Sequence, residues 1–309
     1  MSHSAVVAAD WQDRLARAGL SDLASLLDGS PDEQGLAGRW HALVKPGLGG
    51  RERWRWEVDG ETTLYVKRYL DTPLCEQLDR VRRQAVGHSR AWWEYQQSAE
   101  LARQQVPTVR AIALAEDMRT AFERRSAVLF EPAAGDAFDR VWRGLCAARA
   151  AITQGLARHD LVRRLARFVS AFHQTGLCHR DLYLCHIFSD LDPDAARPPR
   201  FTLIDLARTH RPRWFRMRWL LKDLSQLDVS ARQIGATRGD RLRFLCTYLG
   251  LEPHAARVHW YARRIVRKSD RILRRIERIA RGTEAHRQTG PPGRETPPDR
   301  CAAARPPNS

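Results

Sequence analysis

Two stretches of alternating hydrophobic and polar residues stand next to each other in the first quarter of the chain. Trp54 and Trp56 alternate with charged residues, and a second alternation runs over residues 62–69. An Asp59-Gly60 pair separates the two stretches, and Asp-Gly readily adopts the positive backbone angles of a tight turn. The pattern therefore predicts a β-hairpin with a two-residue turn.

Helix and strand signals surround this hairpin. One helix is expected to start at Pro73 and a second at about Ser89, because these residues suit the first turn and the cap of a helix. Short apolar runs at 109–114 and 127–130 predict buried strands. Before the hairpin, the apolar spacing over residues 11–27 predicts one or two short helices.

Helical periodicity dominates from about Pro132 onward. Over residues 161–172 the apolar side chains recur at helical spacing, and Gly176 is the expected stop. Residues 254–281 predict a long helix with one apolar face and one arginine-rich face. Residues 282–309 lack periodicity and predict a disordered tail. A sheet-rich part followed by helices predicts an α+β fold.

The composition is that of a globular protein. Of the 309 residues, 43% are hydrophobic and 28% charged, which excludes disordered, collagenous and disulfide-framework classes. The six cysteines include no Cys-x-x-Cys pair, so reduced thiols are expected and not a zinc ribbon. No window approaches the roughly 18 apolar residues of a membrane span, and the apolar run at residues 5–9 is too short for a signal peptide. A cytoplasmic location is therefore expected.

The charge balance predicts an anionic partner. Lys and Arg number 52 against 36 Asp and Glu, a net charge of +16, which suits nucleic acid, a phospholipid surface or a phosphorylated substrate. Arginines and tryptophans cluster at 208–219, where they suit an acidic glycolipid or form a solvated loop that covers the core, with about equal support. The arginine face of the 254–281 helix suits an anionic membrane, although packing on the core is the commoner role of such a helix.

Two aspartates stand in the order that phosphoryl transfer requires. Asp181 belongs to a His-Arg-Asp triplet just after a predicted helix, and Asp205 follows a strand-like apolar run. A phosphoryl-transfer site needs one acidic residue to orient the attacking hydroxyl and another to hold magnesium. Upstream, Lys67 lies on a predicted strand, and Glu94 in the following helix can pair with it. The sequence therefore indicates a nucleotide-dependent phosphotransferase.

A glycine-rich connection precedes the hairpin. Gly47, Gly49 and Gly50 can bring backbone N–H groups close to phosphates. The segment is not a Walker A sequence and lacks the Gly-x-Gly-x-x-Gly spacing of protein kinases. A plain hairpin loop is nearly as well supported as a phosphate-covering loop.

These motifs resemble those of a known family. Residues 179–186 (HRDLYLCH), 204–206 (IDL) and 222–224 (KDL) are similar to the motifs of the lipopolysaccharide core kinases of the Kdo/WaaP, InaA-like group. The resemblance spans roughly residues 38–250. His186 stands where protein kinases carry asparagine, which is typical of this group.

The resemblance implies a bilobal protein-kinase-like fold. A small antiparallel-sheet N-lobe would occupy residues 38–131 and a mainly helical C-lobe residues 132–281. An N-terminal helical extension over residues 1–37 would precede them, and the disordered tail over 282–309 would follow.

The resemblance also implies the roles of single residues. Asp181 would be the catalytic base and Asp205 the principal magnesium ligand. Lys67 would bind phosphate while Glu94 holds it, and His186 would stand near the metal or the phosphates, although magnesium prefers oxygen ligands.

The implied reaction uses ATP and Mg²⁺ to phosphorylate a heptose or Kdo sugar of the lipopolysaccharide inner core. The protein would contact anionic lipid at the inner face of the cytoplasmic membrane peripherally. Phe130 and Glu131, in an interlobe hinge, would offer backbone groups to the adenine. Two alternatives stay open: a kinase-like phosphotransferase for a protein or small alcohol, and a non-enzymatic basic nucleic-acid-binding protein. No recognisable nucleic-acid module supports the second.

Overall fold

The computed structural model describes residues 2–27, 36–43, 50–147, 158–192 and 197–289. The strands are β1 (Ser2–Val7), β2 (Arg39–Ala42), β3 (Arg51–Glu57), β4 (Thr63–Leu70), β5 (Ala111–Arg119), β6 (Phe122–Phe130), β7 (Asp136–Ala137), β8 (Ile187–Ser189) and β9 (Phe201–Leu203). The α-helices are α1 (Gln12–Arg17), α2 (Leu74–Arg83), α3 (Arg90–Arg103), α4 (Phe138–Ala147), α5 (Arg158–Gln174), α6 (Arg216–Gln233), α7 (Arg238–Leu249) and α8 (Ala256–Thr289). In these ranges no helix is both long and apolar enough to cross a membrane.

Six antiparallel strands form one sheet in the order β1-β5-β6-β4-β3-β2. The predicted hairpin is its β3–β4 pair, in which Trp56 lies opposite Leu64 and Arg53 opposite Lys67. Because side chains alternate across a strand, Trp56 and Leu64 are buried on one face while Lys67 points to the other. The alternation in the sequence thus positions Lys67 toward α3.

The turn of this hairpin is longer than the Asp59-Gly60 pair predicts. The Val58 N–H donates to the Thr62 carbonyl at 2.8 Å, so three residues form the loop. The Asp59 side chain accepts the N–H of Thr62 at 2.7 Å and that of Glu61 at 3.2 Å. These hydrogen bonds stabilise a three-residue loop, which the Asp-Gly pair alone does not predict.

The N-terminal segment covers one face of the sheet. β1 pairs with β5, with Val6 opposite Leu114, a strand that the helical prediction for this segment did not include. Behind β1, Trp11 and Leu15 and the following leucines pack on Trp56 in one buried cluster. The segment is therefore part of the packed sheet region.

Helix α3 packs on the other face of the sheet. It begins where predicted, since the Ser89 hydroxyl caps it by accepting the Trp92 N–H at 3.0 Å. β5 and β6 extend beyond the predicted apolar runs because buried acids continue them. Glu116 accepts the Ser89 N–H, and Asp117 pairs with Arg125. Paired acids thus lie in strands that apolar runs alone do not reveal.

The second half of the chain is mainly helical, as predicted. Leu161, Leu165 and Phe172 of α5 are buried in its main core, and α5 ends just before Gly176, whose φ is 88°. The small sheet β7-β8-β9 lies beside these helices. β8 and β9 flank the segments that contain Asp181 and Asp205.

Helix α8 is longer than predicted. It continues to Thr289, so residues 282–289, assigned to a disordered tail, are helical. A single glycine such as Gly282 destabilises a helix by only about 1 kcal/mol. The first proline after it, which would end the helix, is Pro291. The rest of the predicted tail lies outside the described residues. The five described cysteines are free thiols, as expected.

Candidate active site

A buried carboxylate of α6 holds the loop that follows α5. Asp223 accepts hydrogen bonds from the backbone N–H groups of His179, at 2.7 Å, and Arg180, at 2.8 Å. Arg180 has a φ of 68°, a left-handed conformation that is strained for a residue other than glycine. The Asp223 anchor therefore fixes a backbone path that the loop would not adopt alone.

Asp223 stays ionised in the interior. Burial opposes its ionisation, but hydrogen bonds with His173, whose Nε2 lies 3.2 Å from Oδ2, and with the loop N–H groups outweigh burial and lower the pKa of Asp223. The loop is also paired to a later segment, because Cys178 and His210 exchange two backbone hydrogen bonds at 2.9 and 3.0 Å. Both contacts orient the residue that follows Arg180.

That residue is Asp181, which is buried between α6 and His186. Gln226 Nε2, one turn beyond Asp223 on α6, lies 3.5 Å from Asp181 Oδ1. His186 Nδ1 donates to the Asp181 carbonyl at 2.8 Å. The Asp181 side chain is thus oriented from one side by a helix and from the other by the end of its own loop.

Lys67 joins the sheet, α3 and the segment after β9. Its Nζ lies 2.7 Å from Glu94 Oε2 and 2.9 Å from Asp205 Oδ1. Glu94 is fully buried and also accepts a hydrogen bond from the Tyr69 hydroxyl. The predicted Lys67–Glu94 pair is therefore present, and the same ammonium group also contacts Asp205.

Asp205 gathers further groups around its carboxylate. Its φ of 62° is left-handed, which turns the chain just after β9. Arg53 Nη2 lies 3.3 Å and His186 Nε2 lies 3.7 Å from Asp205 Oδ2. Through His186 the Asp205 site touches the Asp181 loop, so both aspartates and Lys67 belong to one connected site.

Hydrogen bonding assigns the tautomers of the two histidines of this loop. A carbonyl oxygen only accepts, so His186 Nδ1 carries a hydrogen. His179 Nε2 donates to the Ile204 carbonyl at 3.1 Å. Burial, followed by the charge of His186, lowers the pKa of His179 and keeps that ring neutral.

Two further cations lie close to Asp181. Burial and then the charges of Arg208 and Arg180 lower the pKa of Lys222, on α6, to about 8. Burial also lowers the pKa of Arg208, which the charge of Asp181 partly offsets. Lys222, Arg208 and Arg180 thus bring positive charge close to Asp181, which suits a reaction between anionic groups.

Helix α2 holds the same loop from the sheet side. Asp79 Oδ2 lies 2.7 Å from Arg180 Nη1. Gln84, just after α2, donates to the carbonyls of Ala207 at 2.7 Å and Thr209 at 3.0 Å. One helix therefore contacts both the Asp181 loop and the segment that follows Asp205.

The glycine and hinge predictions have separate outcomes. Gly47 and Gly49 lie outside the described residues. Gly50 has a φ of 65°, and a Cβ there would lie 1.9 Å from the Leu70 carbonyl oxygen, so close approach to β4 explains this glycine. The Glu131 N–H donates to the Arg110 carbonyl at 2.9 Å, so adenine contact would need other backbone atoms of the hinge.

Phe130 lies within the sheet, where it pairs with Tyr65 of β4 and Ala111 of β5. Its ring lies 5.5 Å from Lys67 Nζ, a cation–π distance. The structure thus places the Phe130 side chain beside the candidate phosphate-binding lysine, and adenine contact by its backbone stays a prediction.

Sequence reasoning missed several residues of this site. In the sequence, Arg53 is one of several charged residues in an alternating strand. Only the β3–β4 register reveals that it lies beside Lys67. Gln226 was not singled out at all. Asp223 belonged to a noted motif, but its contact with the Asp181 loop crosses more than 40 residues of chain. Asp79 gave no signal.

The chain matches the model of the lipopolysaccharide kinase (Kdo/WaaP) family over residues 46–248. It is 39% identical over 114 residues to the lipopolysaccharide core heptose(I) kinase WaaP of Pseudomonas aeruginosa, an alignment that spans 35% of this chain and 42% of that protein. It is 28% identical over 208 residues to the protein of the same description from Escherichia coli K12, over 65% of this chain and 75% of that protein.

A solved structure shares the fold. It is described as WaaP in complex with acyl carrier protein, and it matches 85% of this chain and 98% of its own chain with a TM-score of 0.59 and 26% identity. This similarity confirms the bilobal protein-kinase-like α+β fold. The family match covers well over half of the sequence, and the chain therefore belongs to the lipopolysaccharide kinase (Kdo/WaaP) family.

Proposed function

We propose that this chain transfers a phosphoryl group from ATP to a sugar hydroxyl of the lipopolysaccharide inner core. The observation that carries the proposal is the connected site in which Lys67 touches both Glu94 and Asp205 while His186 joins Asp205 to the Asp181 loop. Phosphoryl transfer depends mainly on positioning and charge stabilisation, and these residues supply both.

Asp181 is the proposed catalytic base. A carboxylate that accepts the proton of the attacking hydroxyl must be held in one orientation, and Gln226 and the Asp223-anchored loop provide this. Lys67 is the proposed phosphate ligand. Its buried partner Glu94 orients the ammonium group.

Asp205 fits the magnesium that the family implies. Magnesium prefers oxygen ligands, and one or two carboxylates suffice because phosphates and water complete its coordination. No group of three or more His, Cys, Asp or Glu side chains gathers as a metal site in the described part of the chain. We therefore assign the metal to the Asp205 carboxylate. His186 would act through a water molecule or contact a phosphate group. Magnesium bound there would neutralise charge on the phosphates.

The proposed acceptor is a heptose, because the curated relatives are described as core heptose(I) kinases. Kdo is the second candidate acceptor sugar. The cationic surroundings of Asp181 suit an acidic glycolipid of either kind. We also propose that the chain works at the inner face of the cytoplasmic membrane, where its anionic lipid acceptor would lie.

An acyl carrier protein is a proposed partner, since the solved relative is described in complex with one. Between α4 and the helices α5–α8 the structure has a cavity of about 320 Å³. Its lining is mostly apolar and includes Trp142, Leu165, Leu227, Ile234, Phe244 and Ile265. Such a cavity suits an acyl chain. We expect Leu227→Trp to weaken binding of acylated carrier protein and to leave binding of the unacylated form unchanged.

The kinase proposal is tested with purified protein, ATP and delipidated core oligosaccharide, with mass spectrometry to detect an added phosphoryl group. We expect Asp181→Asn to lower kcat by at least about a hundredfold, because general base catalysis is worth about that much. Asp160→Asn, an aspartate of similar charge on α5, is the control. Equal transfer by Asp181→Asn and the unaltered chain would overturn the base assignment, and transfer to protein acceptors alone would overturn the sugar acceptor.

A further inference from the structure

Large apolar side chains are exposed on two elements beside the candidate site. Trp214 and Phe215, just before α6, are 80% and 81% exposed. Leu74 and Leu78 on α2 are 73% and 59% exposed, and Val86, shortly after that helix, is 67% exposed. Single exposed apolar residues are ordinary, but a group of them marks a contact surface. These five residues are called the docking surface below.

Trp219 connects the end of α2 with the start of α6. Its ring lies 4.9 Å from the guanidinium carbon of Arg83, the last residue of α2, and 5.4 Å from that of Arg180. Trp219 is one turn into α6, and at about 1.5 Å per residue Trp214 and Phe215 begin within about two turns of it. The end of α2 and the start of α6 therefore both lie beside the loop that contains Asp181.

Exposed arginines lie beside the docking surface. Arg82 on α2 and Arg213 beside Trp214 are exposed, and residues 206–222 include no aspartate or glutamate. The acids of α2 are already paired within the protein, Glu76 with two arginines and Asp79 with two others. Positive charge around exposed aromatic and leucine side chains is complementary to an anionic lipid headgroup layer.

We propose that the docking surface binds an anionic lipid bilayer, with Trp214 and Phe215 inserted at the headgroup level. Tryptophan and phenylalanine have large apolar rings that suit this interface, while the arginines contact lipid phosphates. Docked in this way, the loop with Asp181 lies beside a membrane-embedded acceptor. This inference rests on the proposed function, because the proposed glycolipid acceptor is embedded in the membrane that the docking surface would bind.

The test measures sedimentation with vesicles of phosphatidylglycerol and phosphatidylethanolamine, without nucleotide. We expect Trp214→Ser combined with Phe215→Ser to weaken binding by about tenfold or more, because both inserted rings are lost. Val6→Ser, on the edge strand β1, removes an exposed apolar side chain elsewhere and is the control. Thermal unfolding of each variant checks that it remains folded.

A second pair of variants separates this surface from general charge. We expect Arg82→Gln combined with Arg213→Gln to weaken vesicle binding more than Arg271→Gln combined with Arg274→Gln on α8, although each pair removes two charges. Equal losses would overturn the proposal, as would unchanged vesicle binding by the aromatic variant. Loss of acyl carrier protein binding with vesicle binding intact would also overturn it and assign the surface to that partner.

Kinase assays distinguish failure of this proposal from failure of the proposed function. For the Trp214→Ser, Phe215→Ser variant, we expect the ratio of activity on vesicle-embedded lipopolysaccharide to activity on soluble core oligosaccharide to fall. An unchanged ratio would overturn the docking surface. If the unaltered chain binds vesicles but phosphorylates neither substrate, the docking surface stands and the proposed function fails.

Discussion

The surroundings of Lys222 disfavour the charged form of its side chain. Burial, Arg208 and Arg180 lower its pKa from 10.5 to about 8. Between these values the unfolded chain binds more protons than the folded chain, so this lysine makes the free energy of unfolding rise with pH across that window. Below about pH 8 both states are protonated and the cost of the buried charge is fully present.

We therefore expect Lys222→Met to be more stable than the unaltered chain near pH 7, with a difference that shrinks as the pH rises from about 8 to 10. Urea unfolding at several pH values measures this difference. Arg213→Met, at an exposed site, is the control. A difference that does not change with pH would show that lost charge burial is not the cause.

The Tyr69 hydroxyl stabilises the Glu94 carboxylate of the Lys67–Glu94 pair. Glu94 is fully buried, and the Tyr69 hydroxyl is one of its two side-chain partners described above. We expect Tyr69→Phe to lower the free energy of unfolding by about 1–3 kcal/mol, because it leaves a buried carboxylate oxygen without its donor. Chemical denaturation measures the loss. Tyr65→Phe, on the same face of β4, should change stability less, and equal effects would contradict the assignment.

Single residues differ in how far the sequence can predict them. Asp181, Asp205, Lys67 and Glu94 stand in an order that phosphoryl transfer requires, and the structure brings them into one connected site. Asp223 acts through backbone N–H groups that lie far away in sequence. Nothing in its neighbours indicates that contact, because it depends on how α6 packs.

At the scale of whole elements, α2 is the clearest target for a test. Asp79 pairs with Arg180 at 2.7 Å and with Arg83 at 2.7 Å. Burial opposes ionisation of Asp79, but the hydrogen bond from Arg180 and the charges of Arg180, Arg83 and Arg208 together outweigh burial and lower the pKa of Asp79. The stability from this pair is present above the unfolded pKa near 3.8 and is lost as the pH falls through the folded pKa.

We expect Asp79→Asn to lower the free energy of unfolding by about 1 kcal/mol at neutral pH, a difference that disappears in acid. Because Arg180 precedes Asp181, kcat should fall while KM for ATP stays unchanged. Asp160→Asn, which removes a similarly exposed partner of Arg164 on α5, is the control for stability and should leave kcat unchanged. A change in KM alone would contradict a role in positioning the loop.

The N-terminal segment is a second element that can be tested. Leu15 is buried in the cluster that covers Trp56. We expect Leu15→Ala to lower the free energy of unfolding by about 2–5 kcal/mol, as in other cores. Arg17→Ala, on the exposed side of α1, is the control. A loss below about 1 kcal/mol would show that this segment is an independent appendage.

Elements were predictable where local chemistry determines them. The β3–β4 hairpin and the start of α3 follow from alternation and from a capping serine. β1 was missed because only three of its six residues, 5–7, are apolar, and its pairing depends on the edge that β5 offers. The end of α8 was misplaced because residues 282–289 lack the apolar periodicity that predicted the rest of the helix.

At the scale of the whole molecule, periodicity alone predicted a sheet-rich part and a helical part. It did not predict that β1, from the chain start, would lie at one edge of the sheet and β2 at the other. The bilobal arrangement came from the resemblance of a few motifs, which the solved relative confirms. Strand order depends on long-range packing, which no local pattern contains.

The Asp79–Arg180 ion pair has a consequence for how the loop with Asp181 is ordered. Many kinase-like proteins order their active segments only when a phosphate group, added by another enzyme, pairs with arginines near the active site. Here an encoded carboxylate already occupies the arginine beside Asp181, and no phosphatase can remove it. The loop with Asp181 is therefore held by a side chain of the protein itself, and this arginine needs no added phosphate group to be paired.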